Sequence, residues 1–169
     1  MFYYKKWAIV IPMANEEQDF KPFIEMLNFV IDELNPGSVY FIIDKASTDK
    51  TLELSQALSA KDSRYVTVWA PENKNVVDAY VKGLRVAYEA GHDIIIEMDA
   101  GLSHDPRAIP MFLRVLNEGN ECAFGSSFGS RPYGDVRGDL GGGSERPLES
   151  SGSEPAAVLS QRDSWLEAI

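Results

Sequence analysis

Residues 94–106 read Ile94-Ile95-Ile96-Glu97-Met98-Asp99-Ala100-Gly101-Leu102-Ser103-His104-Asp105-Pro106. Three consecutive β-branched residues predict a strand. Asp105-Pro106 predicts a helix start, because an aspartate caps free amides and proline is tolerated in a first turn. Asp99 therefore falls at the carboxyl end of a strand, ahead of a small-residue turn. Working outward, the chain alternates short β-branched runs with helix-period segments, which predicts βαβ units. Strands are expected at Trp7–Ile11, Val39–Ile43, Tyr65–Trp69, Asp93–Met98 and Glu121–Phe124. Phe23, Met26, Leu27, Val30, Ile31 and Leu34 share one helical face, with Pro22 in the first turn and Asn35-Pro36-Gly37 as the stop. A second helix is expected from Asp49 to about Ser59, capped by Ser47 or Thr48. A third carries Val77, Tyr80, Val81, Leu84, Ala87 and Tyr88 on its apolar face and ends at Gly91, a residue suited to a left-handed C-terminal position. A fourth buries Ile109, Phe112, Leu113 and Leu116 and stops near Gly119. These stripes are read as packing. The fold class that follows is α/β, a mainly parallel sheet with helices on both faces.

A chain of 169 residues with 44% hydrophobic content suits a single core. The net charge of −10, with no cluster of Lys and Arg, argues against a nucleic-acid partner, since phosphate neutralisation needs such a cluster. The lone Cys122 cannot pair within the chain; in Cys122-Ala123-Phe124 it reads as a small buried side chain in a reducing, cytoplasmic setting. Apolar runs such as Trp7–Ile11 fall short of the roughly 20 residues that span a bilayer. Met1-Phe2-Tyr3-Tyr4-Lys5-Lys6 lacks a signal-peptide cleavage pattern, so membrane contact is expected to be peripheral or supplied by another chain. After Phe128, Gly, Ser, Pro, Arg and acidic residues dominate. Residues 1–128 are thus expected to form the domain and 129–169 a disordered or poorly ordered tail, with at most a short helical turn at Ser164–Ile169.

In a parallel α/β sheet, ligands bind beyond the carboxyl ends of the strands. Four polar segments fall there: Pro12-Met13-Ala14-Asn15-Glu16-Glu17, Asp44-Lys45-Ala46-Ser47-Thr48-Asp49, Glu72-Asn73-Lys74-Asn75, and Asp99 through Pro106. Asp99 has the position and chemistry to meet a hard cation, Mg²⁺ or Mn²⁺, which prefers oxygen ligands and shares them with a diphosphate. Asp44 suits either a base or ribose contact or an Asx turn. Glu16 fits a nucleoside contact, and equally a solvated acidic helix start beside Glu17 and Asp19. Asn73 and Lys74 suit a sugar or phosphate, or simply a polar loop. His104 reads as a phosphate or metal contact or as a structural histidine, and Asp105 as a helix cap. No Gly-rich phosphate loop, paired-cysteine motif or Ser-His-Asp order is present.

Taken together, these segments resemble glycosyltransferase family 2. Val10-Ile11-Pro12-Met13-Ala14-Asn15-Glu16-Glu17 is similar to the family's IPxxNEE segment, and Asp44 through Thr51 to its DDGSTDGT loop. Glu72-Asn73-Lys74 with Ala79-Tyr80 and Gly83-Leu84 follows ENxGxxxAxxxGL. Met98 through Pro106 resembles the MDADLSHxP stretch of the dolichol- and polyprenyl-phosphate mannosyltransferase branch. The resemblance covers residues 7 to about 128. It implies a GT-A (Rossmann-like) fold, a nucleotide-sugar donor with GDP-mannose favoured, a lipid-linked phosphate acceptor, and inverting, metal-assisted sugar transfer. Position by position, it implies that Pro12, Ala14 and Glu16 line the nucleoside pocket, that Asp44 meets the base, and that Asp99 reaches the diphosphate through the metal, with Ala100, Asn73 and Lys74 in the donor-binding set. Four departures stand out. Lys45 replaces the second aspartate of the DD pair, Ala14 an aromatic, and Ser127 the arginine of GSRF. Gly101 replaces the second aspartate of DxD, which leaves Ser103 or a water to complete the metal's ligands. The composition change after Phe128 reads as a truncated or frameshifted C-terminus, so the alternative function is a non-catalytic nucleotide-sugar-binding module, or an incomplete subunit that needs a partner.

Overall fold

The computed structural model describes residues 5–125 and the strand 157–160. Six strands form one sheet in the order β3-β2-β1-β4-β6-β5. The strands are β1 Trp7–Met13, β2 Ser38–Ile43, β3 Tyr65–Trp69, β4 Ile94–Glu97, β5 Cys122–Phe124 and β6 Ala157–Ser160. The first four run parallel, with Ala8 opposite Ser38 and Ile95, and Val39 opposite Tyr65. β6 pairs antiparallel with both β4 and β5. Strands covered on both faces should be apolar at nearly every position, and in β1 all residues except Pro12 are buried.

The two faces divide by residue parity. Trp7, Ile9, Ile11, Val39, Phe41 and Ile43 meet α1 (Phe20–Ile31), α2 (Thr51–Lys61) and α4 (Ile109–Asn117) on one side. Ala8, Val10, Tyr40 and Ile42 meet α3 (Val76–Glu89) on the other. Phe23 and Leu27 of α1 are completely buried, each contributing on the order of 1.5–3 kcal/mol by leaving water. α4 buries the expected Ile109, Phe112, Leu113 and Leu116, after a 3-10 turn at Pro106–Ala108 whose start Asp105 caps by accepting from Arg107 N at 2.9 Å.

Four expectations change. The apolar stripe of α3 is rotated: Val77 and Val81 are exposed, while Ala79, Gly83, Leu84 and Ala87 face the sheet. Small residues win because they let the helix come close; a Cβ on Gly83 would sit 2.2 Å from Val10 Cγ1. At α2, neither Ser47 nor Thr48 caps. Asp49 Oδ1 instead accepts from Thr51 N at 2.9 Å and from Thr51 Oγ1 at 2.6 Å. Cys122 is exposed, because β5 is an edge strand. Finally, Ala157-Val158-Leu159-Ser160, an apolar run inside the expected tail, forms a strand between β4 and β5. The rest of the expected tail, the turn at Ser164–Ile169 and Ser127 lie outside the described residues.

Candidate functional site

The loops after β1 and β2 are fastened to each other. Asn15 adopts φ +59°, a left-handed conformation that asparagine tolerates, and this turns its amide across the gap. Its Nδ2 donates to Ala46 O at 3.0 Å, and its Oδ1 accepts from Thr48 N at 2.9 Å. Glu16 N donates to Thr51 Oγ1 at 2.8 Å, and Glu17 N to Asp49 Oδ2 at 2.9 Å. Four hydrogen bonds, from the Thr51 hydroxyl first and then Thr51 N, Glu17 N and Ser47 Oγ, hold the Asp49 carboxyl below its usual range. These bonds fix the main chain at Ala14, Glu16, Asp44 and Lys45.

A cavity of about 780 Å³ opens at the carboxyl edge of β1, β2 and β4. Pro12, Ala14, Glu16, Asp44, Asn73, Lys74, Asp99, Ala100 and Ser103, all singled out from sequence, line it together. Met13, Ile42, Ala79 and Val76 add an apolar floor and lip. Asp44 Oδ1 accepts from Ala46 N at 2.8 Å in an Asx turn, and the residue also lines the cavity. Asn73 is only 6% exposed, and its Nδ2 is buried without a hydrogen-bond partner. A buried unpaired donor costs on the order of 1–3 kcal/mol, a cost that a ligand oxygen would remove.

Asp99 is held from two directions. Tyr80 on α3 donates to its Oδ1 at 2.5 Å, and His104 Nε2 lies 3.6 Å from its Oδ2. The ring orientation of His104 is set by Asp99 N, which donates to Nδ1 at 2.9 Å. His104 thus braces Asp99 and is not among the cavity-lining residues. Burial, and then the Asp99 charge, push the Glu97 carboxyl up to about 7. Glu16 is also raised, by burial first and then by Asp19, Asp49 and Asp99. Beyond Asp99, Gly101 and Leu102 have φ of +71° and +64°. A left-handed leucine is uncommon, and such strain concentrates at ligand sites.

No three His, Cys, Asp or Glu side chains converge as a ready ligand set among the described residues. Mg²⁺ does not need such a set, because one or two carboxylates plus substrate phosphates suffice for it. Asp99 meets that lesser requirement. Sequence reading missed Tyr80, which it assigned to packing, and Asn15 as the stitch between loops. The signal for Asn15 was a polar Asn-Glu-Glu directly facing a second polar run, Ser47-Thr48-Asp49. Tyr80 carried none, because tyrosines on an apolar stripe usually pack.

A parallel sheet ordered β3-β2-β1-β4 with its polar cavity at the carboxyl edge is the arrangement of the Rossmann-like α/β proteins. Residues 8–141 match the model of Glycosyl transferase family 2, and the chain belongs to that family. The match runs past Phe128, where the sequence reading ends the domain. Dolichol-phosphate mannosyltransferase of Pyrococcus furiosus is 29% identical over 123 residues, 73% of this chain and 33% of the relative. Undecaprenyl-phosphate mannosyltransferase of Micrococcus luteus is 30% identical over 110 residues, 63% of this chain and 42% of the relative. Undecaprenyl-phosphate 4-deoxy-4-formamido-L-arabinose transferase of Yersinia pestis is 28% identical, over 68% of this chain and 35% of the relative. The chain therefore spans between a third and about two-fifths of the length of these curated relatives. Glucosyl-3-phosphoglycerate synthase from Mycobacterium tuberculosis, solved with Mn²⁺, UDP and phosphoglyceric acid, superposes with a TM-score of 0.50 at 19% identity, over 71% of this chain and 42% of that one. The fold is accordingly of the GT-A type.

Proposed function

We propose that this chain carries the donor side of a glycosyltransferase that moves a sugar from a nucleotide donor onto a polyprenyl-phosphate acceptor with inversion. The observation that carries the reading is the convergence of nine anticipated side chains, from four separate loops, on one cavity. The relatives named for dolichol- and undecaprenyl-phosphate transfer support the acceptor class, and two of the three are mannosyltransferases, which favours mannose and hence GDP-mannose.

In this reading Pro12, Ala14 and Glu16 flank the nucleoside, and Asp44 takes the base with the oxygen left over from its turn. Asn73 Nδ2 and Lys74 meet sugar or phosphate oxygens. Asp99, steadied by Tyr80 and His104, faces the diphosphate with Ala100 and Ser103 beside it. An acceptor phosphate is already an anionic nucleophile. Its oxygen bonds to the anomeric carbon as the bond to the nucleoside diphosphate breaks on the opposite side, and the leaving group departs with the electron pair. The chemical demand thus falls on the leaving group. Three carboxylates, Glu16, Asp44 and Asp99, line the cavity against Lys45 and Lys74, so a bare diphosphate would meet repulsion. Mg²⁺ or Mn²⁺, held by Asp99 with help from Ser103, would supply the charge neutralisation that both binding and departure require. No helix among the described residues is long and apolar enough to cross a membrane. In the proposed reading the lipid-linked acceptor is met peripherally, at a cytoplasmic surface.

Gly101, standing where the family carries a carboxylate, favours a second reading, a module that binds nucleotide sugar without turning it over or that completes its site with a partner. Calorimetric titration of GDP, GDP-mannose, UDP and UDP-glucose, with and without Mn²⁺, tests the donor site. Saturable binding of one nucleotide class is expected, strengthened by Mn²⁺, and no binding of any of them would overturn the reading. Release of free sugar or its transfer to a polyprenyl phosphate then separates enzyme from module.

A further inference from the structure

The loss of the carboxylate at position 101 has a counterpart in space. Gly101 turns through φ +71°, and a Cβ built there would lie 3.0 Å from Glu16 Oε2, 3.8 Å from Cδ and 3.9 Å from Oε1. The carboxylate of Glu16 thus fills the space into which a side chain at 101 would extend. Its own main chain is pinned: Glu16 N donates to Thr51 Oγ1 at 2.8 Å, and Glu16 O accepts from Phe20 N at 2.8 Å. From that fixed root the side chain reaches across from the β1 loop to the β4 loop and lines the same cavity as Asp99.

We infer that Glu16 replaces the missing carboxylate of residue 101, so that Asp99 and Glu16, from two different loops, share a divalent cation with the diphosphate of the donor. This rests on the donor-site reading above and assigns Glu16 to the metal and diphosphate in addition to the nucleoside. A magnesium-like ion takes one or two carboxylates from a protein when phosphate and water supply its other oxygens, and Glu16 would supply the second beside Asp99. An independent feature points to the same ligand. Asn73 lines this cavity with a buried amide nitrogen that has no partner, a donor suited to an acceptor oxygen such as one on the diphosphate.

The exchange predicts a rescue. With the full 169-residue chain, GDP and UDP are titrated by calorimetry in Mn²⁺ and in EDTA, for wild type, Glu16→Gln, and Glu16→Gln combined with Gly101→Asp. The quantity read is the ratio of affinities with and without Mn²⁺, which cancels any contact of Glu16 with the nucleoside. Glu16→Gln is expected to cut the ratio at least tenfold, and the double variant to recover most of it, with circular dichroism confirming that each chain is folded. A ratio unchanged in Glu16→Gln would overturn the inference and leave the donor site standing, with Glu16 a nucleoside contact only. A loss that Gly101→Asp does not restore would equally overturn the claim of exchange between the two positions. Absence of nucleotide binding by the wild-type chain would instead remove the donor reading on which the inference rests.

Discussion

Asp99 lines the cavity with a carboxylate that Tyr80 and His104 hold from two sides, and the proposed donor site rests on its charge. Replacing it by asparagine keeps the shape and removes the charge. Asp99→Asn is expected to weaken Mn²⁺-dependent nucleotide binding tenfold or more, about 1.4 kcal/mol, as read by calorimetry. Binding as tight as wild type in Mn²⁺ would take Asp99 out of the metal site. At this scale the sequence was informative wherever a polar residue follows a strand, because strand ends share one edge of a parallel sheet whatever the details of packing. It was silent on Tyr80, whose hydroxyl finds Asp99 only because α3 crosses above β4, and on the reach of Glu16 across to Gly101. Both depend on distances between segments remote in sequence.

The places of the first five strands and of the four helices followed from periodicity and from proline and aspartate signals, yet α1 ends at Ile31, ahead of the stop read at Asn35-Pro36-Gly37, and the orientation of α3 did not follow. Hydrophobicity alone favours Val77 and Val81 as core residues; packing distance favours Gly83 and Ala87. The consequence is a sign reversal at one residue. Alanine for glycine within a helix ordinarily gains about 0.5–1 kcal/mol. At position 83 the added methyl meets Val10 Cγ1 at 2.2 Å and Ile42 Cγ1 at 2.9 Å, both in the buried interface between α3 and the sheet. Gly83→Ala is therefore expected to destabilise by about 1–3 kcal/mol in urea unfolding. It should also disturb the cavity, since Asn73, Val76 and Ala79 sit at the start of this helix. A neutral or stabilising result would show that α3 can lift from the sheet without cost, and would return Val77 and Val81 to consideration as its inner face.

For the molecule as a whole, composition located the core but not its edge. A stretch poor in apolar residues holds one four-residue run, Ala157–Ser160, and pairing with the open side of β4 is a use for such a run that counting residues does not reveal. The two ends of the sheet also carry opposite electrostatic liabilities. At the amino end, His92 just before β4 is 3% exposed, with Nε2 3.0 Å from Tyr40 Oη and the two rings edge to face. Burial first, and then Lys6, bring its pKa down to about 4, against partial opposition from Trp7 and Asp93. At the carboxyl end, Glu97 is pushed up to about 7. The signs oppose each other. A histidine with a depressed folded pKa contributes stability that is complete above about 6.5 and is lost as pH falls toward 4, because the unfolded chain takes up the proton first. A carboxyl with a raised folded pKa does the reverse, stabilising most at low pH and losing that contribution as pH rises from about 4.5 to 7. Each amounts to something on the order of 3 kcal/mol, so these two contributions are expected largely to offset each other between pH 4.5 and 6.5. The comparison that isolates one limb is wild type against His92→Gln, in which the Glu97 contribution cancels. The stability of the wild type relative to this variant should fall by about 2–3 kcal/mol between pH 7 and pH 4.5, measured by urea unfolding at each pH. A difference that stays constant across that range would mean that His92 is protonated in the folded chain as readily as in the unfolded one, and that the amino end of the sheet admits water to a ring that the packing encloses.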